Sequence, residues 1–330
     1  MIRNCSVFLL SVLLVSCGKR TDYFVDKGEI FHTDYSIKYE YSKPLTQEIL
    51  SELERFDASL NPFRDGSVIY NINNNVTAVP DSLFLEVFNK SQEISVISDG
   101  LFDITCSPLI NAWGFGFKNM DNVTEWTIDS LKQFTGFENI KYENGHILKN
   151  DPRMQVNTSA IAKGFSVDVI ARLLDSKGIE NYMCEIGGEI VAKGVNPRGE
   201  CWRIGIDKPI DEKNPDTNHR ELQTILAICN KAVATSGNYR NFYIKDGKKY
   251  AHTINPKTGY PSENSILSST VIANDCMTAD AFATVFMLTN LEEAKQIAYS
   301  QGLDFLLMYA TPEGQIETIA SEGLKNYLSK

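Results

Sequence analysis

The chain has 330 residues, 43% of them hydrophobic and 22% charged, with a formal net charge of −10. That apolar share suits one large or two tightly associated soluble domains with a substantial buried core. The acidic balance, without a basic stripe, argues against a nucleic-acid partner, because phosphate binding needs clustered Lys and Arg.

The first twenty residues, MIRNCSVFLLSVLLVSCGKR, carry an early positive charge at Arg3 and an apolar run from Val7 to Val15. The run is too short for a membrane span of about 20 residues and reads as a secretory signal. Leu14 to Gly18 resembles a bacterial lipobox, in which Cys17 becomes the lipidated first residue of the mature protein; an ordinary cleaved signal peptide is the alternative. On this reading residues 1–17 are a lipoprotein signal, 18–27 a polar tether and 28–330 the folded domain. Beyond Cys5 and Cys17 the cysteines are Cys106, Cys184, Cys201, Cys229 and Cys276, odd in number and without CxxC spacing. That argues against a zinc site and a disulfide framework and for buried apolar cysteines.

Tyr35 to Tyr41 alternates aromatic or aliphatic with polar residues, as a half-buried strand does. After Pro44 and Thr46, Ile49, Leu50, Leu53 and Phe56 recur at helical spacing, and a second helix is expected from Ser82 to Ser98. Asn71 to Asn75 between them reads as a loop. In GLFDIT (Gly100 to Thr105), Phe102 beside Asp103 offers an aromatic face next to an acceptor, which could hold a flavin or an adenine; a core Phe next to a turn Asp fits equally. NTSAIAKGFSVD (Asn157 to Asp168) is a loop entering a helix, with Phe165, Val169 and Leu173 as its buried stripe. Backbone N–H groups there, together with Lys163, suit a diphosphate, and a solvated Lys beside a closely packed small residue is the other reading.

Gly187 and Gly188, flanked by Glu185 and Glu189, let a backbone approach a ligand or simply turn a strand end. Thr235 to Tyr239 carries the same ambiguity. Cys201 to Ile206, Leu267 to Ala273 and Phe305 to Tyr309 read as strands, and the polar insertion Asp211 to Arg220 as a solvated loop. His252, one of four histidines, precedes a strand leading into a Pro and Gly turn, a place where histidine serves structure or acts as a base. In CMTADAFATVFML (Cys276 to Leu288), Asp280 and Thr284 share one helix face. A carboxylate and a hydroxyl so placed can converge on a hard cation such as Mg²⁺, and the same residues are also ordinary near a helix start. Thr289 with Glu292 predicts a capping box before a helix running to Tyr299 and ending at Gly302. Helices and strands fall in separated runs, which predicts an α+β fold with largely antiparallel sheet.

Four of these runs, Gly100 to Gly116, Asn157 to Asp168, Ala234 to Pro261 and Cys276 to Leu288, resemble in order and spacing the ApbE family, the FAD:protein FMN transferases. The resemblance covers the chain from roughly residue 28 onward. It implies an ApbE-like (T-fold-like) fold of mixed, largely antiparallel sheets packed with helices. It also implies Mg²⁺-dependent transfer of FMN from FAD to a Thr or Ser hydroxyl of a target protein through a phosphoester, releasing AMP. Hydrolysis of FAD to FMN and AMP and a non-catalytic flavin-binding lipoprotein are the alternatives. By resemblance Phe63, Leu101, Phe102, Asp103, Asn157, Lys163 and Ile254 contact FAD. The Ala160 carbonyl, Asp280 and Thr284 hold Mg²⁺, for which Mn²⁺ could substitute, and His252 is the candidate base. Asn157 and Asn238 stand where relatives often carry Asp. The implied partners are FAD and membrane-associated acceptor proteins, met on the periplasmic side by a lipid-anchored enzyme.

Overall fold

A computed structural model describes residues 21–77, 79–115, 123–209, 221–238, 242–245 and 248–329. Cys17, the Asp211 to Arg220 insertion and Tyr239 lie outside the described residues.

The chain opens with β1 (Asp22–Ile30) and β2 (Thr33–Tyr41), an antiparallel hairpin pairing Asp22 with Tyr41 and Ile30 with Thr33. The expected tether is therefore corrected: residues 22–27 are the first two thirds of an edge strand. Its polar composition concealed it, because an edge strand is held by its ladder on one side and needs no apolar alternation. Asp26 fixes it further by accepting hydrogen bonds from the Tyr39 hydroxyl at 2.7 Å and the Thr46 hydroxyl at 2.5 Å.

Helices α1 (Thr46–Leu60), α2 (Val68–Asn73) and α3 (Ser82–Ile97) follow. α1 buries Ile49, Leu53 and Phe56 as their spacing predicts, while Leu50 stays 41% exposed. Asn71 and Asn73 are in α2 rather than in a loop, since the Ser67 side chain accepts from the Tyr70 N–H and Ile69 and Ile72 are buried. Next come α4 (Ser107–Ala112), α5 (Glu125–Lys132), a small hairpin of β3 (Ile140–Glu143) and β4 (His146–Lys149), and α6 (Ala162–Ser176).

The second half contains β5 (Tyr182–Ile186), β6 (Glu189–Lys193), β7 (Trp202–Asp207), β8 (Leu222–Ile228), β9 (Lys231–Gly237), β10 (Phe242–Lys245), β11 (Lys248–Ala251) and β12 (Ile266–Ala273). It closes with α7 (Cys276–Phe286), α8 (Leu291–Gln301), β13 (Asp304–Ala310) and β14 (Ile316–Ala320). Asn290, not Thr289, caps α8, with Glu293 completing the capping box one residue later than expected, and Gly302 ends the helix in the left-handed conformation. Asn outcompetes Thr as a cap because its longer side chain reaches two backbone donors, here Glu292 and Glu293 N–H.

Eight strands form one sheet in the order β1-β2-β5-β6-β9-β12-β13-β14, every pair antiparallel. Alternation along the strands builds two cores. Val271, Phe305 and Leu307 face the helices with Phe165, Phe282 and Phe286, whereas Ile272, Leu306 and Met308 face a separate ribbon of β7 and β8 with Trp202, Ile204 and Leu226. The α+β fold with largely antiparallel sheet is as expected. Among the described residues, no helix is long and apolar enough to cross a membrane.

The cysteines depart from expectation at one pair. Cys201 and Cys229 form a disulfide that closes the open end of the β7–β8 ribbon, one position beyond the Trp202–Ile228 pair. Cys106, Cys184 and Cys276 are buried and free, as expected.

Candidate active site

α6 and α7 meet at Gly164. A Cβ there would lie 2.3 Å from the Cys276 carbonyl oxygen and 2.7 Å from Asp280 Cβ, so only glycine allows the two backbones this close. The contact is also polar. The Gly164 N–H, whose partner in a continued helix would be the carbonyl of Ala160, donates instead to Asp280 Oδ2 at 2.9 Å. Asp168, one turn further along α6, accepts from the Cys276 and Met277 N–H groups at 2.8 Å each and so helps the N-cap Asp275 to satisfy the start of α7. Burial pushes the Asp168 carboxyl up to about 7 despite those bonds.

Asp280 is itself 3% exposed, a buried carboxylate rather than an exposed one. Beside it, the Lys163 ammonium is ion-paired with Glu189, the first residue of β6, which is 2% exposed. Burial raises the Asp280 and Glu189 carboxyls, with Asp280's charge adding to the effect on Glu189 and Lys163 opposing it on both. Burial works against the Lys163 charge as well, but Asp280 and then Glu189 more than offset it, and its ammonium is held above the usual lysine range. Thr284, one turn beyond Asp280, has its hydroxyl 3.2 Å from that of Ser236 on β9.

These groups line a cleft of about 610 Å³, within the usual range for small-molecule sites. Its walls come from the 101–104 loop, the N-terminal turn of α6, the β5–β6 turn, β7, the end of β9, residues 252–256 and α7. Leu101, Phe102, Asp103, Asn157, Ala160, Lys163, His252, Ile254, Asp280 and Thr284 are all brought together there. Phe63 is not: it is 63% exposed after α1 and is absent from the lining. Phe102 lines the cleft while 3% exposed within the helical core, as the core reading of that aromatic expects.

Asp103 Oδ1 accepts the Thr105 N–H and hydroxyl at 2.7 Å each, and burial pushes its carboxyl up to about 6. Asn157 closes a turn through its Oδ1 to the Ser159 N–H at 2.8 Å instead of capping a helix. An Asp side chain could accept the same turn bond. Asn238 accepts from the Thr253 hydroxyl at 2.8 Å and so ties β9 to the His252 segment. His252 is half-buried at the cleft, with Phe115 set edge-on at a centroid distance of 6.4 Å.

Sequence reasoning missed Glu189 and Ser236. Glu189 was visible as an acid after two glycines, but nothing local says that a side chain at a strand start is buried. Its Oε2 has no hydrogen-bond partner. Asp280, Glu189 and Lys163 together carry a formal charge of −1, counted as two carboxylates and one ammonium, a buried excess suited to a cation. The donors offered by Asp280, Thr284 and the Ala160 carbonyl are hard oxygens, which fit Mg²⁺ or Mn²⁺. No group of three or more His, Cys, Asp or Glu side chains gathers as a metal cluster among the described residues.

Residues 31–307 match the model of the ApbE family. The FAD:protein FMN transferase of Vibrio cholerae is 36% identical over 340 aligned positions, covering 99% of this chain and 100% of the relative. That of Escherichia coli is 32% identical, covering 87% of this chain and 82% of its own. Among solved structures, the flavin transferase ApbE from Vibrio cholerae superposes with a TM-score of 0.82 at 34% identity, over 94% of this chain and all of that one. The apo flavinyl transferase ApbE of Pseudomonas stutzeri gives 0.82 at 26% identity, over 93% and 97%. With the family match spanning most of its length and the cleft assembled from the motifs that carry the resemblance, this chain belongs to the ApbE family.

Proposed function

We propose that the protein transfers FMN from FAD to a Thr or Ser hydroxyl of a target protein, forming a phosphoester and releasing AMP. The observation that carries this reading is the gathering of Asp280, Thr284, Lys163 and His252, from distant parts of the chain, around one cleft. A carrier of flavin needs neither a buried carboxylate one helix turn from a hydroxyl nor a lysine held beside it.

In the reaction the acceptor oxygen forms a bond to the FMN phosphorus as the bond from that phosphorus to the AMP oxygen breaks, and AMP leaves with the electron pair. Two requirements follow: the charge of the diphosphate must be offset, and the hydroxyl must lose its proton. Asp280, Thr284 and the Ala160 carbonyl would hold a divalent cation, which supplies charge neutralisation at the phosphates. Lys163 adds a positive charge at the N-terminal turn of α6, where backbone N–H groups also favour an anion. His252, half-buried in the cleft lining, would receive the proton. Leu101, Phe102 and Ile254 give the apolar surface for the flavin or the adenine.

Incubating the purified domain with FAD and Mg²⁺, with and without a Thr-containing acceptor protein, tests this. Covalent flavin on the acceptor with equimolar AMP supports it; FMN and AMP without labelled acceptor would make the enzyme a hydrolase, and unchanged FAD would leave a binding protein.

The anchor reading is kept as part of the proposal: Cys17 is acylated and the domain faces the periplasm. A disulfide at Cys201–Cys229 supports an oxidising compartment. Because β1 starts at Asp22, Cys17→Ala should release a folded, active enzyme, whereas truncation to residue 28 removes most of an edge strand. Acyl-chain labelling and fractionation check it, and unlabelled wild-type protein in the cytoplasm overturns it.

A further inference from the structure

We infer that Glu189 is a positioning residue, whose buried carboxylate holds the Lys163 ammonium off Asp280 and so keeps the Asp280 carboxylate open to a divalent cation. The inference rests on the metal reading of Asp280 given above.

Three observations place it. Lys163 has two acids within electrostatic reach, yet its ion pair is with Glu189, while Asp280 Oδ2 accepts the Gly164 N–H. Glu189 is immobilised: it starts β6, is 2% exposed, and its Oε2 lies 3.3 Å from where a Gly187 side chain would begin, under a turn whose two glycines have φ of 65° and 100°. Lys163 is the movable member, an ammonium on a four-carbon stem in the first turn of α6, adjacent in sequence to the glycine that touches Asp280.

Consider the site without the Glu189 charge. The Lys163 side chain is 38% exposed, but its ammonium lies among buried acids, and without the Glu189 charge the acid left to pair with it is Asp280. Lys163 would settle on it, and any metal would have to displace that ammonium before binding. Glu189 prevents this self-inhibition at the cost of a second buried carboxylate.

The test is direct binding of Mn²⁺ alone, followed by the free-ion electron paramagnetic resonance signal. It is applied to the wild type, Glu189→Gln, Lys163→Met, the double variant and Asp280→Ala. Glu189→Gln should bind Mn²⁺ about tenfold more weakly, and the double variant should recover to the level of Lys163→Met, because the competing ammonium is gone. An equal loss in the Lys163→Met background would mean that Glu189 acts on the metal by its own charge, and an unchanged affinity would mean that it does not act at all; either overturns the inference. Full Mn²⁺ binding in Asp280→Ala would instead remove the metal reading beneath it. If Glu189→Gln does not fold, judged by its thermal transition, Glu189→Asp serves in its place, with a smaller loss that again depends on Lys163.

Discussion

Gly164→Ala should destabilise this protein and disable it together. In an ordinary helix interior the same change stabilises by about 0.5–1 kcal/mol, since alanine loses less backbone entropy on folding. Here the new methyl would lie 2.3 Å from the Cys276 carbonyl oxygen, where ordinary contact begins at 3.4 Å. Backbone cannot rotate away as a side chain can, so α6 and α7 must part by about an ångström, an overpacking that costs roughly 1–3 kcal/mol. Separation also weakens the bond from the Gly164 N–H to Asp280, a charge-assisted contact that contributes about 1.5–3 kcal/mol. Set against the helix gain, the net destabilisation is about 2–5 kcal/mol, read as a lowered midpoint in urea unfolding. FMN transfer, measured by flavin fluorescence on the acceptor, should fall by at least tenfold because Asp280 moves with its helix. A midpoint equal to or above that of the wild type would refute the claim that this contact sets the helix spacing.

His252→Gln keeps size and hydrogen bonding but cannot take a proton near neutral pH, so turnover should drop by about 10²-fold while FAD binding persists; normal turnover would shift the role to a carboxylate. Removing the Cys201–Cys229 cross-link by paired Ser substitution frees a loop of 28 residues and should cost about 3–4 kcal/mol on the chain-entropy account, and an unchanged thermal transition under non-reducing conditions would contradict it. Burial pushes the Asp168 carboxyl of the folded protein up to about 7, from an ordinary value of 3.8. The folded state thus holds the extra proton between those values, and the contribution of Asp168 to stability is greatest below about pH 4 and falls as pH rises toward 7, by up to about 1.4 kcal/mol per unit. Thermal scans from pH 5 to 8 should show a shallower decline in Asp168→Asn, and identical slopes would sink the assignment.

What could be read in advance and what could not divides on physical grounds. The i and i+4 spacing of Asp280 and Thr284 is local geometry, and so is the apolar stripe of α1; both survive folding because a helix fixes which residues share a face. The α+β class followed from the grouping of elements. Strand β1 was hidden because hydrophobic alternation reports burial, and an edge strand with polar faces has little of it. The Cys201–Cys229 pair was hidden because pairing depends on ribbon register across an insertion. Phe63 was carried over by alignment of type alone and sits outside the cleft. Glu189 depended on the packing of a turn against a helix from another part of the chain.

The two runs that carried most of the sequence reading, around Lys163-Gly164 and around Asp280, turn out to be the two sides of one contact. Gly164 is small because Cys276 and Asp280 are close, and Asp280 is oriented because the Gly164 N–H meets it. Asp168 then helps to satisfy the start of the helix that bears Asp280, from a position one turn along the helix that bears Lys163. Folding energy and site geometry are therefore supplied by the same atoms, which hold the buried Asp280 carboxylate in one orientation. It also explains why weak local signals became informative in combination: neither half of the contact specifies a site alone, whereas both together constrain helix spacing, carboxylate orientation and the placement of the lysine at once.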